Sequence, residues 1–341
     1  MERIAWIDIA KGLGIIFVVF GHLNFVTDID YNIIRVIYMF HMPLFFFLSG
    51  YLYKKNTNLR GLIKNKFQQL MIPYFASLFV LAPFSPMFKE LYASNHVTFG
   101  MVMEVIGKLL FGGCYLFDEV GVLWFLPVMF FTQVVYSILS NRLNIKILHL
   151  VVLLLLIFAY ILSIRFAKDQ LIPLNAHVVM GTLAIYHLGR VYKESGYREN
   201  FIVVIILALI SIISIWFYPD NIFSIRSGYY GYPFVTLFCA VVMILMVKNI
   251  SVFIVKNNSL AKFFTSLGKE SLFIMCFHML FMLNVVKYIS NNPAIVLILT
   301  LSITYLLALL FDRFTLTRAL FKGNKEDIQS ILRRIKNRIK K

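Results

Sequence analysis

The chain has 341 residues, of which 60% are hydrophobic and 14% are charged, and its mean hydropathy is +0.81. Soluble domains carry charge on about a quarter of their residues, so this composition excludes a soluble globular protein and makes lipid the main solvent. The net charge of +17 is accounted for by membrane topology and attraction to anionic lipid head groups, and we expect no nucleic-acid partner.

Apolar runs of about twenty residues recur along the whole chain and predict an all-α, polytopic transmembrane helix bundle. The first run carries Lys11 and His22 and lacks a small-residue cleavage site, so we interpret it as a retained helix rather than a signal peptide. Ten spans are predicted, at about residues 6–26, 34–53, 70–89, 122–140, 147–165, 172–192, 200–218, 229–248, 270–289 and 293–311.

One further apolar segment, 99–117, is not counted as a span. It contains Glu104, Lys108 and the pair Gly112-Gly113, which favour an interfacial or re-entrant helix. Counting it as a span would invert the orientation of everything that follows it.

The distribution of charge supports ten spans. In that arrangement 26 of the 33 Lys and Arg residues fall on one side, and cytoplasmic loops hold the basic excess. We therefore expect a multi-pass protein of the inner (plasma) membrane with both termini and the loop 54–66 in the cytoplasm, and with 90–118 and 219–228 outside. Residues 1–312 are predicted to form the transmembrane domain and 313–341 a basic cytoplasmic tail in contact with membrane lipid.

The first predicted helix carries three ionisable residues, which are costly inside a membrane and indicate function. At 100° per residue Asp8, Lys11 and His22 lie within about 60° of one face, with His22 about 16 Å deeper than Lys11. In the alternative interpretation Lys11 snorkels and pairs with Asp8, while His22 is an interhelical hydrogen-bonding residue.

The second helix carries His41, and the turn between the two helices places it at about the depth of His22. A histidine can take a proton from a hydroxyl group as a general base, and a second histidine can orient that base or the acceptor. Packing at a helix interface is the alternative for His41.

Later positions in the chain complete the set of candidate residues. His278 lies seven residues after Ser271 on nearly the same face of the ninth helix, and His177 and His187 are weaker candidates in the sixth. By composition alone, Trp124 is better explained as an interfacial aromatic anchor. The cysteines show neither a disulfide framework nor metal-type spacing, and no metal site is predicted.

Four short segments resemble the acyltransferase 3 family, particularly its fucose 4-O-acetylase-like branch. They are RIAWIDIAKGLGIIFVVFGH, FHMPLFFFLSGY, LWFLP and GKESLFIMCFH. The family's basic residue, ten intervening residues and histidine correspond to Lys11 and His22, although many members have arginine, with its bidentate fork, where this chain has lysine.

The resemblance also implies roles for individual residues. It makes His22 the catalytic candidate, Asp8 and Lys11 its supporting or coenzyme-side partners, and His41 a second catalytic-site residue. The matching segments assign substrate binding to His278, Ser271, Trp124 and Ser49.

The resemblance further implies a membrane-bound O-acyltransferase. Such an enzyme moves acetyl from acetyl-CoA, a co-substrate, to a hydroxyl of an envelope polysaccharide or a lipid-linked sugar. We expect no extracytoplasmic esterase-like domain after the tenth span, so transfer is completed within the bundle. The alternatives are a transporter or flippase of a glycan or lipid intermediate, for which the paired broken helices are not found, and an inactive relative that assists polysaccharide synthesis.

Overall fold

The computed structural model describes residues 4–94, 96–166 and 172–339, and it shows helices and turns but no β-strand over these residues. The helices are α1 Ala5–His22, α2 Tyr31–Tyr51, α3 Leu59–Lys66, α4 Ile72–Leu81, α5 Pro86–Ala93, α6 Phe99–Phe111, α7 Phe125–Arg142, α8 Ile145–Phe166, α9 Val179–Ser195, α10 Phe201–Phe217, α11 Val235–Ile254, α12 Asn258–Tyr288, α13 Pro293–Phe311, α14 Thr315–Lys322 and α15 Lys325–Ile339. Four basic residues that entered the charge count lie outside the described residues, namely Arg3, Lys168, Lys340 and Lys341.

Eight helical segments of the described chain are long and apolar enough to cross a membrane, which confirms a multi-pass, all-α membrane protein. They are Ala5–Phe25, Tyr31–Tyr51, Leu59–Ala93, Asp118–Arg142, Ile145–Ile164, Val235–Ile254, Asn258–Tyr288 and Pro293–Phe311. The two other predicted spans correspond to α9 and α10, which have 17 residues each.

The predicted helix boundaries are wrong at four places. The third span is predicted over 70–89, but the helical segment there runs over Leu59–Ala93 and is divided into α3, α4 and α5. The sixth span was expected from 172, but α9 begins at Val179, because Leu174 and Asn175 before it have left-handed backbone conformations. The eighth span was expected from 229, but α11 begins six residues later, after Phe234, which also has a positive φ. The ninth was expected from 270, whereas α12 begins at Asn258, and its polar early turns conceal this start from a hydropathy window.

The segment 99–117 forms a short helix followed by a turn. The helix α6 has 13 residues, so it is about 20 Å long and too short to cross the hydrocarbon core. It ends at Gly112, and both Gly112 and Gly113 adopt positive φ angles that only glycine tolerates readily. The length of α6 agrees with the prediction that this segment does not span the membrane.

Two pairs of helices pack backbone to backbone in the core. A Cβ on Gly268 of α12 would overlap the carbonyl oxygen of Asp8, and one on Gly12 of α1 would overlap that of Phe264. Gly50 of α2 and Gly189 of α9 approach the opposite backbone in the same way. Because the hydrophobic effect does not drive helices together in lipid, close packing at small residues such as these glycines stabilises the bundle.

The two ends of the bundle are distinct. One end, named the hairpin end, contains the turn between α1 and α2 and the connections before α7, α9 and α11. The other end, named the tail end, contains the turn between α2 and α3, the turn between α9 and α10, and the helices α14 and α15. The helix α14 is part of the packed bundle, because Phe321 contacts Phe277 and Phe311.

Candidate active site

A cavity of about 590 Å³ opens at the hairpin end. Its wall is formed by residues from α1, α2 and α12 and from the connections that cap them. These residues are His22, Phe25, Tyr38, His41, Met42, Gly113, Phe117, Val122, Trp124, Asn175, His177, Phe223, Ser224, Ile225, Arg226, Ser227 and Met275. The volume suits a small polar ligand, and the mixture of aromatic and polar side chains is typical of a binding site.

The hairpin turn fixes the relative positions of α1 and α2. The helix α1 ends at His22 and is followed by a single 3₁₀ turn, Leu23–Phe25. Asp30 then caps α2, since its carboxylate accepts a hydrogen bond of 2.7 Å from the backbone N–H of Asn32. Arg35 ties this turn to the connection after α10 by donating to the carbonyl oxygen of Tyr218 at 2.5 Å.

His22 is held in one orientation by its own helix. Its Nδ1 lies 2.8 Å from the carbonyl oxygen of Val18. A carbonyl can only accept a hydrogen bond, so Nδ1 carries the proton in the neutral ring and Nε2 keeps its lone pair. His22 therefore presents a proton acceptor on the side of the ring away from α1, and its ring lines the cavity.

Two further histidines show the same arrangement. Nδ1 of His41 lies 2.9 Å from the carbonyl oxygen of Ile37, and Nδ1 of His278 lies 3.0 Å from that of Ile274. The ring centroid of His22 is 5.0 Å from that of His278 and 6.4 Å from that of His41. The structure thus brings these three predicted residues together, each with Nε2 as the available acceptor.

His278 differs from the other two in its surroundings. Its side chain is completely buried, it is absent from the cavity wall, and its Nε2 has no hydrogen-bond partner. Ser271, which was predicted to act with it, lies seven residues towards the tail end, or about 10 Å along α12, and also does not line the cavity. His278 therefore lies behind His22 rather than on the open surface of the site.

Trp124 lies in the cavity wall with 6% of its surface exposed. A lipid-facing anchor would be exposed on the outside of the bundle, so the interpretation that composition favoured is wrong. The 3₁₀ helix Asp118–Trp124 that carries it is attached to α5 by an ion pair between Lys89 and the buried Glu119, 2.5 Å long.

The connections contribute cavity residues that sequence reasoning did not select. Arg226 donates to the carbonyl oxygen of Leu116 and accepts, through its own carbonyl, a hydrogen bond of 2.7 Å from the side chain of Asn175. Its charge is close enough to act electrostatically on His22 and Tyr38. The signal available in the sequence was that Arg226 is a basic residue in a loop predicted to face outside.

His177 also lies in this cap, in the turn before α9 rather than within a span as predicted. Gly228 is placed against its ring, since a Cβ there would lie 3.3 Å from the imidazole. Burial lowers the pKa of His177 below its ordinary value, which favours the neutral ring.

Asp8 and Lys11 lie near the tail end and do not line the cavity. Their side chains form an ion pair of 3.7 Å, and Lys11 is partly exposed. This pairing agrees with the alternative in which Lys11 snorkels and pairs with Asp8. The polar residues of α1 therefore lie in two separate environments: Asp8 and Lys11 lie near the tail end, and His22 lies in the cavity wall.

Ser49 and His187 also belong to the tail half of the bundle. Ser49 accepts a hydrogen bond of 2.9 Å from the side chain of Gln133 on α7. Nδ1 of His187 lies 2.7 Å from the hydroxyl of Tyr136, and its Nε2 lies 2.7 Å from the ring of His149. None of these residues lines the cavity, so a role for Ser49 in substrate binding stays a prediction.

The described residues contain no group of three or more His, Cys, Asp or Glu side chains arranged to hold a metal ion. The polar groups that the cavity wall offers to a ligand include the imidazoles of His22, His41 and His177 and the guanidinium of Arg226, and they lie among aromatic rings.

Residues 4–313 match the model of the acyltransferase 3 family, which is described as an acyltransferase domain. The chain belongs to the acyltransferase 3 family. No curated protein and no solved structure matches it. The match covers nearly the whole chain, and it confirms the family that four short segments indicated. The protein is a membrane acyltransferase, which favours the enzyme over the transporter or flippase.

Proposed function

We propose that the protein is an O-acetyltransferase that moves an acetyl group from acetyl-CoA to a hydroxyl of an envelope polysaccharide or a lipid-linked sugar. The observation that carries this proposal is the pinned ring of His22 in the wall of the cavity, with Nε2 free to accept a proton. The fucose 4-O-acetylase-like segments support the choice of a sugar hydroxyl as acceptor.

His22 acts in this proposal as the general base. Its Nε2 takes the proton of the sugar hydroxyl while the oxygen forms a bond to the carbonyl carbon of the thioester. The tetrahedral intermediate then collapses, the carbon–sulfur bond breaks, and the imidazolium returns the proton to the departing thiolate. The products are the acetyl ester and the free thiol of coenzyme A, and His22 is restored.

The remaining cavity residues fit a saccharide. Trp124 and Tyr38 offer aromatic surfaces to the apolar face of a sugar ring, and Ser224 and Asn175 offer hydrogen-bonding groups. The positive charge of Arg226 suits stabilisation of the oxyanion that forms when the hydroxyl attacks.

The donor is proposed to enter from the tail end. With both termini in the cytoplasm of an inner-membrane protein, that end faces the compartment that supplies acetyl-CoA. Lys54 and Lys55 lie in the turn between α2 and α3, and Lys64 lies on α3; all three attract the phosphates of the coenzyme, while Lys11 lies on the path along α1. The hairpin-end cavity then faces the acceptor.

The test uses purified protein in lipid nanodiscs with acetyl-CoA labelled in the acetyl group. The acceptor is the envelope glycan fraction from cells that lack the gene, and mass spectrometry locates the transferred label. We expect labelled O-acetyl esters on sugar, and none with His22→Ala at matched amounts of folded protein. Transfer of label to protein or lipid amines instead of sugar hydroxyls would overturn the proposal, as would consumption of a longer acyl-CoA in preference to acetyl-CoA.

A further inference from the structure

The last helix, α15, carries an apolar stripe that the bundle covers only at its start. At 100° per residue Ile328, Ile331, Leu332 and Ile335 fall within about 100° of the helix surface. Ile328 is buried with 6% of its surface exposed, whereas Leu332 and Ile335 are 51% and 49% exposed. The stripe thus continues from the protein into a region where no described residue covers it.

Basic side chains flank this stripe on both sides. On the helical projection Lys336 and Arg333 lie to one side of it, and Arg338 and Arg334 lie to the other. All four are exposed. An exposed apolar stripe between two rows of cations is the pattern of a helix that lies in the interface of an anionic membrane.

The start of α15 is held at the tail end of the bundle. Arg318 of α14 makes two hydrogen bonds, of 2.7 and 3.0 Å, to the carboxylate of Asp327. These bonds lower the pKa of Asp327, so the pair remains charged at neutral pH. Lys322 holds α14 in turn, through ion pairs of 2.5 Å to Glu270 and 2.6 Å to Asp312. The helix α15 therefore starts at the tail end of the bundle, beside the end of the candidate span Pro293–Phe311.

We infer that α15 docks on the surface of an anionic phospholipid bilayer, with Leu332 and Ile335 below the head groups and the four flanking cations among them. The charge pattern favours a bilayer over a protein partner. A protein surface complementary to two cationic rows would need acidic residues on both sides of an apolar groove, whereas an anionic bilayer offers negative charge on all sides. A basic residue near an anionic leaflet contributes about fivefold to such a docking equilibrium. This inference does not depend on the proposed acyl transfer.

Hydrogen–deuterium exchange of the full-length protein in nanodiscs tests the inference. One set of discs contains phosphatidylcholine alone, and the other contains phosphatidylcholine mixed with phosphatidylglycerol. A helix of about fifteen residues is marginal in water, so α15 should fray and exchange rapidly in neutral discs. In anionic discs we expect exchange over residues 329–338 to slow by at least about tenfold.

In anionic discs, the double variant R333Q/R334Q should exchange at least about tenfold faster over residues 329–338 than the wild type. The control K54Q/K55Q removes the same charge at the same end of the bundle and should exchange as slowly as the wild type. Leu332→Gln, which keeps every charge, should also exchange faster than the wild type in anionic discs. Equal exchange in the two kinds of disc would overturn the inference. Slow exchange in both kinds would also overturn it, since it would mean that protein rather than lipid covers α15.

Discussion

The two ends of α1 are built for different tasks. Near the tail end, around Asp8 and Gly12, the helix touches α12 backbone to backbone, so no ligand fits between these two helices. At the hairpin end, around His22, the same helix borders a cavity of about 590 Å³. Polar residues on one face of a helix can therefore serve packing and anchoring at one level and chemistry at another.

This difference shows what the capping connections contribute. Near Gly12 the neighbours of α1 are regular helices that can approach closely. Near His22 they are short 3₁₀ turns and loops that include Trp124, Asn175 and Arg226, and they cannot close against the helix in the same way. The irregular backbone is thus what leaves space beside the histidine.

The largest effect is expected from a substitution that disrupts the close contact between α1 and α12 at the tail end. Gly268→Leu places a side chain where the carbonyl oxygen of Asp8 lies, and overpacking against backbone cannot relax by a change of rotamer. We expect a loss of at least about 3 kcal/mol of stability, or no folded protein at all. Thermal unfolding in detergent measures the loss of stability, and size-exclusion chromatography shows whether folded protein is present.

Gly107→Leu is the matched control, because a Cβ on Gly107 of α6 meets nothing within 4 Å. That variant should unfold at or above the wild-type temperature, since leucine favours a helix more than glycine does. If Gly268→Leu were as stable as Gly107→Leu, the tight crossing of α1 and α12 would be contradicted.

A smaller effect is expected from Lys11. Lys11 is partly exposed, so water screens its attraction for the anionic coenzyme, and Lys11→Ala should lower the rate at limiting acetyl-CoA by only about two- to fivefold. Lys11→Arg keeps the charge and should lose less. Initial rates over a range of acetyl-CoA concentrations test this, and wild-type values for both variants would assign Lys11 to snorkelling alone.

The sequence predicted the membrane helices and the meeting of His22 with His41, because hydropathy and the turn between two adjacent spans determine both. It did not predict the boundaries of α9 and α11, because left-handed residues such as Asn175 and Phe234 leave no mark on hydropathy. It also did not predict that Arg226 joins the cavity. That contact depends on how distant loops fold over the hairpin, which periodicity cannot show.

The grouping of Asp8, Lys11 and His22 as one site followed from a helical projection, which gives angle but not environment. In the structure the three residues share a face, yet only His22 meets the cavity. The assignment of Ser49 and Ser271 rested on their positions in family-like segments. Both lie away from the cavity, so their role in substrate binding stays a prediction.

The central claim is that acyl transfer takes place at the hairpin end with His22 as the base. It is tested most directly by the turnover rate of His22→Gln in the labelled transfer assay, beside His187→Gln, which replaces another buried histidine outside the cavity. Glutamine keeps a polar side chain but cannot take up a proton near neutral pH. We predict that His22→Gln lowers the rate by about 10² to 10⁴ while His187→Gln remains near the wild type. Transfer by folded His22→Gln at close to the wild-type rate would contradict the account.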